Sequence, residues 1–176
     1  ATADTVCESC LAGSASSGGA SAVCTPCTGD GQYSETDSSI ACQFSPAGSI
    51  PNADRTGVVP CRAGKFSNGG TSSCTACPIG KYSDTPGSVG CKACELGSVT
   101  GYIAIIGTTS CLPCSPGSYS NDGQHCLDCD GNGQYSDKTG AYSCKTAKAG
   151  YKPTEDRKAE VRRGWQLRGH DHTNCR

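Results

Sequence analysis

Apolar residues along this chain come singly or in short clusters between Gly, Ser and Thr, and they keep no helical period. The longest aliphatic run, Ile103 to Ile106, is far too short to cross a bilayer. What recurs instead is a phrase. It reads CPIGKYS from Cys77, CSPGSYS from Cys114, CELGSVT from Cys94 and CRAGKFS from Cys61, with a weaker copy, CLAGSAS, from Cys10. With one extra residue, CTGDGQYS from Cys27 and CDGNGQYS from Cys129 complete the set. Each copy supplies one aromatic or small apolar residue, set between a Gly and a Ser or Thr. The Gly can take a positive φ and turn the chain back. The Ser can bond local backbone in a turn. The ring is large enough to lie on a disulfide and shield it. The expected fold class is small and disulfide-rich, mostly β-hairpins and turns. An elongated tandem array of short cysteine-stapled loops is expected, with little helix before the C-terminal tail.

Composition explains why staples are needed. Ile, Leu, Val, Phe and Trp number 21 of 176 residues, too few to offset the entropy of ordering a chain of this length. Sixteen cysteines in so apolar-poor a chain read as a cross-linked scaffold. The net charge of −1 supplies no field to attract nucleic acid or an anionic membrane, so neither nucleic-acid binding nor membrane insertion is expected. Ala1 to Cys10 has neither the basic start nor the apolar stretch of a signal peptide. A secreted form is therefore expected to be a mature chain or a fragment.

A longer repeat is superimposed. Cys27 to Val59 aligns with Cys129 to Val161 at a constant offset of 102, pairing Gly31 with Gly133, Tyr33 with Tyr135, Pro51 with Pro153 and Arg55 with Arg157. The copy then fails, because Arg163 stands where Cys61 leads one to expect a cysteine. Three regions follow. Residues 1–60 hold the first loops and a linker, 43–60; residues 61–150 hold five tandem loops; residues 151–176 are a divergent basic tail.

Six Cys-x-x-Cys pairs occur, and three chemistries compete for them. In the disulfide reading, the second Cys of each pair opens a loop and the first Cys of the next pair closes it. The bonds are then Cys10–Cys24, Cys27–Cys42, Cys61–Cys74, Cys77–Cys91, Cys94–Cys111, Cys114–Cys126 and Cys129–Cys144. Each loop encloses one copy of the phrase, and closing a loop of ~15 residues contributes about 3 kcal/mol in the chain-entropy model. Spacing does not prove connectivity. Four-cysteine zinc sites also fit, for example Cys74/Cys77 with Cys91/Cys94, but they leave Cys42, Cys61 and Cys144 without a role. A redox Cys-x-x-Cys needs a helix start with a sheet behind it, and no such pattern is present. Cys7 and Cys175 are left over. Their candidate partners are each other, residues upstream of Ala1, or a second molecule. A Cys175–Cys7 bond between successive molecules makes an open head-to-tail chain.

The stretch CPIGKYSDTPGSVGCKAC resembles the ephrin-receptor-like cysteine-rich repeat and the single-disulfide module of the tumour necrosis factor receptor family, over residues 7 to 150. The longer unit, CDGNGQYSDKTGAYSCKTAKAGYKPT, is most similar to large protist and algal surface proteins. The resemblance implies rods of short β-hairpins, extracellular or cell-surface placement, and adhesion, binding or structural roles without catalysis.

Other candidates are weaker. Asp128, Asp130 and Asn132 match the start of a calcium loop, but Thr139 replaces the twelfth-position Glu, so a turn is the better reading. His170 and His172 read as solvated tail. Arg157, Lys158, Arg162, Arg163 and Arg168 form a loose basic patch that reads as solvated or packed tail rather than a polyanion site, with Trp165 beside it a candidate contact residue. Ile103, Ile105 and Ile106 fit a local core or a subunit contact. Thr25, Ser45, Thr85 and Ser115, each before a proline, are candidate O-glycan positions. Neither a catalytic constellation nor a metal or cofactor site emerges. The expected function is an extracellular structural repeat unit of a cell-surface or filamentous assembly, with copies of itself as partners. The alternative is a receptor or adhesin ectodomain recognising protein or glycan, and a zinc-loaded scaffold is the third reading.

Overall fold

A computed structural model describes residues 9–16, 23–101 and 106–164, and contains no helix among them. Those residues form nine two-stranded antiparallel sheets, each a hairpin. The first three are β1 (Ser14–Ser16) with β2 (Cys24–Pro26), β3 (Gln32–Tyr33) with β4 (Gln43–Phe44), and β5 (Ser49–Pro51) with β6 (Val58–Pro60). Next come β7 (Lys65–Phe66) with β8 (Thr75–Ala76), β9 (Lys81–Tyr82) with β10 (Lys92–Ala93), and β11 (Ser98–Val99) with β12 (Leu112–Pro113). The last are β13 (Ser118–Tyr119) with β14 (Leu127–Asp128), β15 (Gln134–Tyr135) with β16 (Lys145–Thr146), and β17 (Tyr151–Pro153) with β18 (Glu160–Arg162). Strands of two or three residues are far below what stands alone in water. Their stability must come from cross-links and from neighbouring hairpins.

Seven hairpins carry a disulfide. Cysteines 10 and 24, 27 and 42, 61 and 74, 77 and 91, 94 and 111, 114 and 126, and 129 and 144 are joined, with Cα separations of 5.3 to 5.8 Å. The two ends of each bond differ. The opening half-cystine is buried in all seven, with Cys77, Cys114 and Cys129 wholly so. The closing one is half-buried or exposed. The residue that shares this interior is the Ser after the aromatic: Ser34, Ser67, Ser83, Ser120 and Ser136 are all at most 2% exposed. The rings are less deeply placed. Tyr33 and Tyr135 are buried, while Phe66, Tyr82 and Tyr119 are half-buried. The interior is thus built from half-cystines and serines rather than from a ring laid over each disulfide. A serine fits because it is small and its hydroxyl is spent locally. Ser83 Oγ donates to Thr85 O at 3.1 Å and bonds Ser88 Oγ at 2.6 Å. Ser34 does the same with Thr36 O and Ser39 Oγ.

The hairpins recur with a period of three. In each triplet the Gly amide of the first donates to the carbonyl of the buried Ser in the second: Gly13 to Ser34, Gly64 to Ser83 and Gly117 to Ser136, all at 2.8 Å. The second hairpin answers through its turn, whose amide donates to the first hairpin's opening cysteine: Ser38 to Cys10 O, Gly87 to Cys61 O and Gly140 to Cys114 O. The second then bonds the third, through Ser34 N to Arg55 O, Ser83 N to Thr108 O and Ser136 N to Arg157 O. The described residues fall into two compact units, one holding the chain up to Glu95 with Val99–Leu112 and Asp122–His125, the other Leu96–Ser98, Pro113–Asn121 and the chain from Cys126 on. The same grammar of bonds operates within each.

Two stretches depart from the cysteine pattern. Residues 49–60, within the stretch read as a linker, form the hairpin β5–β6. Residues 151–162, read as the start of the tail, form β17–β18. Neither has a cysteine, and hydrogen bonds close them. Asn52 N donates to Gly57 O and Asn52 Oδ1 accepts from Gly57 N, both at 3.0 Å. Thr154 N donates to Ala159 O at 2.9 Å, and Thr154 Oγ1 accepts from Ala159 N at 3.1 Å. Ser45 and Ala147 sit where the opening half-cystine would be, and each amide donates to a Gly carbonyl of the preceding hairpin, Gly31 and Gly133.

Candidate functional site: the junctions between hairpins

The described cysteines are bonded rather than displayed. No group of three His, Cys, Asp or Glu side chains with metal-binding geometry occurs among the described residues. Cys7, Cys175, Trp165, Arg168, His170, His172, Ile103 and Ile105 lie outside the described residues. Ile106 is described and is exposed.

What the structure brings together is a set of tight backbone junctions. Gly48 has a φ of 83°, and a Cβ there would collide with the Gly87 carbonyl oxygen. Gly97, with a φ of 86°, faces the Gly140 carbonyl in the same way. These glycines serve twice: they turn their own hairpin, and they let a later turn approach closely.

The turn that resembles a calcium loop is held by the chain's own cation. Arg157 Nη1 donates to Gly131 O at 2.9 Å and Gln134 O at 3.2 Å. In the repeat partner, Arg55 Nη1 donates to Gly29 O and Gln32 O at 2.8 and 2.9 Å. Both arginines sit in the left-handed region, at φ 62° and 57°. That conformation costs an L-residue on the order of 1 kcal/mol, so the contacts it permits must offset it. Arg157 is therefore a packing residue. Its neighbours in the supposed basic patch are also engaged: Lys158 faces Asp156 at 3.7 Å, and Arg163 Nε donates to Tyr151 O at 3.2 Å. Arg162 stays exposed.

Asp30 fastens the same loop to a later hairpin. Its Oδ1 accepts from Ser72 N at 2.7 Å, and Gly31 N donates to Ser72 Oγ at 2.9 Å. The bonds from Ser72 hold the Asp30 carboxyl below its ordinary 3.8. Two middle hairpins carry matched surface ion pairs, Lys92 with Asp84 at 2.9 Å and Lys145 with Asp137 at 2.6 Å. The lysine bonds lower both aspartates below 3.8, and the aspartates raise both lysines above 10.5.

Of the hydroxyls before proline, Thr25, Thr85 and Ser115 are exposed. Ser45 is only 3% exposed, and its Oγ is aimed at Thr71 O, because it fills a cysteine's place. Equivalent positions two residues before the closing cysteine display Ile40, Val89 and Tyr142 to solvent. Tyr142 borders a shallow cleft of about 320 Å³ with Asp137, Thr139 and Lys145.

The comparisons agree with this picture. A family model described as tyrosine-protein kinase ephrin type A/B receptor-like matches residues 64–104, a stretch of cysteine-rich repeat. Relatives include the signal peptide, CUB and EGF-like domain-containing protein 2 of Danio rerio, 36% identical over 73 residues. Thyroglobulin of Mus musculus is 35% identical over 82 residues, and that of Rattus norvegicus 34% over 87. These matches span 39 to 49% of this chain but only 3 to 7% of the relatives' length. The chain thus carries cysteine-rich repeats similar to segments of those proteins. No helix long and apolar enough to cross a membrane occurs among the described residues.

Proposed function

We propose that this chain is an extracellular structural module, a disulfide-stapled repeat unit of a cell-surface or filamentous assembly. The observation that carries the reading is the repeated junction. In every described triplet a buried half-cystine, a buried serine and a turn amide bond a neighbouring hairpin. The described cysteines are bonded to one another, and backbone amides and carbonyls link successive hairpins. Disulfides persist in oxidising compartments, which favours placement outside the cell. The similarity to repeats in proteins named for receptors and for CUB and EGF-like domains points the same way. Copies of the same chain are the proposed partners, and Thr25, Thr85 and Ser115 are the proposed O-glycan positions. Non-reducing peptide mapping tests the reading: a Cys7–Cys175 linkage between two molecules establishes a covalent polymer, and free thiols that bind zinc overturn it.

The exposed Tyr142 cleft favours a second reading, an adhesin or receptor ectodomain. Aromatic side chains beside polar groups are common contact residues. Binding of a protein or glycan by the isolated chain, lost in Tyr142→Ala, would replace the structural reading.

A further inference from the structure

We infer that the cleft between β5–β6 and β7–β8 binds an acidic polysaccharide, with Arg62 and Lys65 holding its anionic groups and Ile50 and Val59 receiving a sugar face. The inference goes beyond the structural reading above and does not depend on self-assembly. The cleft has a volume of about 390 Å³. That size lies at the small end of ligand clefts. The hairpin β5–β6 contributes the cross-strand pair Ile50 and Val59, with Pro60 beside it. The next hairpin contributes Arg62, Lys65 and Ser73.

The cations set this cleft apart. Thr56 to Ser83 holds Arg62, Lys65 and Lys81 and no Asp or Glu, on a chain whose net charge is −1. Elsewhere Lys92, Lys145, Lys148 and Lys158 each face a carboxylate. The exposed side chains of Arg62 and Lys65 have no hydrogen-bond or ion-pair partner among the described residues. The fold does not require them. In the first hairpins of the other two triplets the same positions hold Leu11 with Ser14, and Ser115 with Ser118. There the later serine spends its hydroxyl inside the turn, Ser14 Oγ donating to Leu11 O at 2.7 Å and Ser118 Oγ to Ser115 O at 2.8 Å. The Lys65 side chain makes no such bond, and its ammonium is left for a ligand.

What the cleft offers defines the ligand. Guanidinium and ammonium groups take the oxygens of sulfate or carboxylate. Ser72, also at the cleft, is spent on Asp30 and Gly31, and two cations stand against the single charge of Asp30. Backbone amides around the cleft are spent too: Cys61 N donates to Gly48 O, Lys65 N to Arg62 O and Ser72 N to Asp30 Oδ1. An acidic peptide held as an added strand needs free backbone groups. A polysaccharide needs none. Side chains recognise it: cations for its charges, the aliphatic Ile50–Val59 surface for the C–H face of a ring, and the exposed Ser73 for ring hydroxyls.

The test titrates the oxidised full chain with a short sulfated dextran and with an oligogalacturonate. Plain dextran, polyglutamate and inorganic sulfate are run alongside, and the methyl resonances of Ile50 and Val59 report the cleft. The expected result is that one or both acidic sugars shift those methyls. Their affinity falls at least tenfold in Arg62→Gln and in Lys65→Gln, and falls as salt screens the charges. Lys65→Arg, which keeps the charge, and Arg162→Gln, a change at a distant exposed cation, bind like the parent chain. A response to the sulfated sugar alone assigns a sulfate ester, and one to the galacturonate alone assigns a uronate carboxylate. Unmoved methyls, or equal binding by the parent and both cleft variants, overturn the site. Plain dextran bound as tightly overturns the role of charge. Polyglutamate bound as tightly overturns the polysaccharide in favour of an acidic peptide, and inorganic sulfate bound as tightly overturns it in favour of a free-anion site.

Discussion

The hairpins β9–β10 and β5–β6 do the same work with different fasteners. β9–β10 is closed by Cys77–Cys91. β5–β6 has no cysteine and is closed by Asn52 and Gly57, with Arg55 reaching back to Gly29 O and Gln32 O. Both nevertheless accept the same backbone bond from the following hairpin at the opening position, Ser45 O from Gly70 N and Cys77 O from Gly107 N, each at 2.8 Å. The difference teaches that the disulfide is one way to hold a hairpin in register, and that the junction is what the array preserves.

The largest expected effect removes a staple from the interior. Cys77→Ser with Cys91→Ser opens a loop of 14 residues and costs about 3 kcal/mol, read as a lower midpoint in chemical denaturation. Cys77 is buried, so the serine left there adds to the cost. A comparison of two glycines sharpens the role of the junction. Gly48→Ala strains a φ of 83° and drives a methyl into Gly87 backbone, for about 3 kcal/mol in all. Gly150→Ala has the same φ and no described neighbour within 4 Å, so it should cost only about 1 kcal/mol. Equal losses at the two sites would break the claim that close approach, and not the turn alone, selects glycine.

Next comes the cystine-free fastener. Arg55→Asn keeps the left-handed residue and removes both guanidinium bonds, for about 2 kcal/mol in the same denaturation. An unchanged midpoint would leave β5–β6 held by Asn52 alone.

How much of this was readable from residue order differs from feature to feature. The tandem hairpin fold was legible because its signals are local: a Cys spacing, a Gly to turn, a Ser to follow. The burial of Ser34 or Ser83 was not, because it arises from bonds to a hairpin some twenty residues away. The same holds for Ser45, which looked like a loop serine and fills a cysteine's place. Arg55 and Arg157 had one available signal, their identity across the offset of 102. Nothing in either residue's own surroundings announced a left-handed arginine bonded to carbonyls 23 and 26 positions earlier. Hydrogen-bonded substitutes for a disulfide have no fixed spacing, so β5–β6 read only as a linker, a longer β-like connection or hinge, and β17–β18 as the start of the tail.

The smallest effect is electrostatic. Asp84→Asn removes the ion pair with Lys92 on an exposed hairpin edge, and the melting temperature should fall least of all these variants. Its pH dependence is the sharper readout. The Asp84 carboxyl is lowered in the folded chain, so its contribution is complete above the ordinary 3.8 and is lost as pH falls through the lowered value. Lys92 is raised, so its side of the pair is complete below 10.5 and is lost as pH rises through the raised value. The variant should therefore converge with the parent chain at both acid and alkaline extremes.

The central claim is that seven of the nine described hairpins are stapled singly and in tandem, each by its own cystine, while β5–β6 and β17–β18 are closed without one. Non-reducing proteolysis with mass spectrometry of the linked peptides tests it directly. The account predicts linkages 10–24, 27–42, 61–74, 77–91, 94–111, 114–126 and 129–144, with residues 45–60 and 147–163 released free of cross-links. Linkages that bridge different hairpins, or thiols that alkylate without reduction, would contradict it.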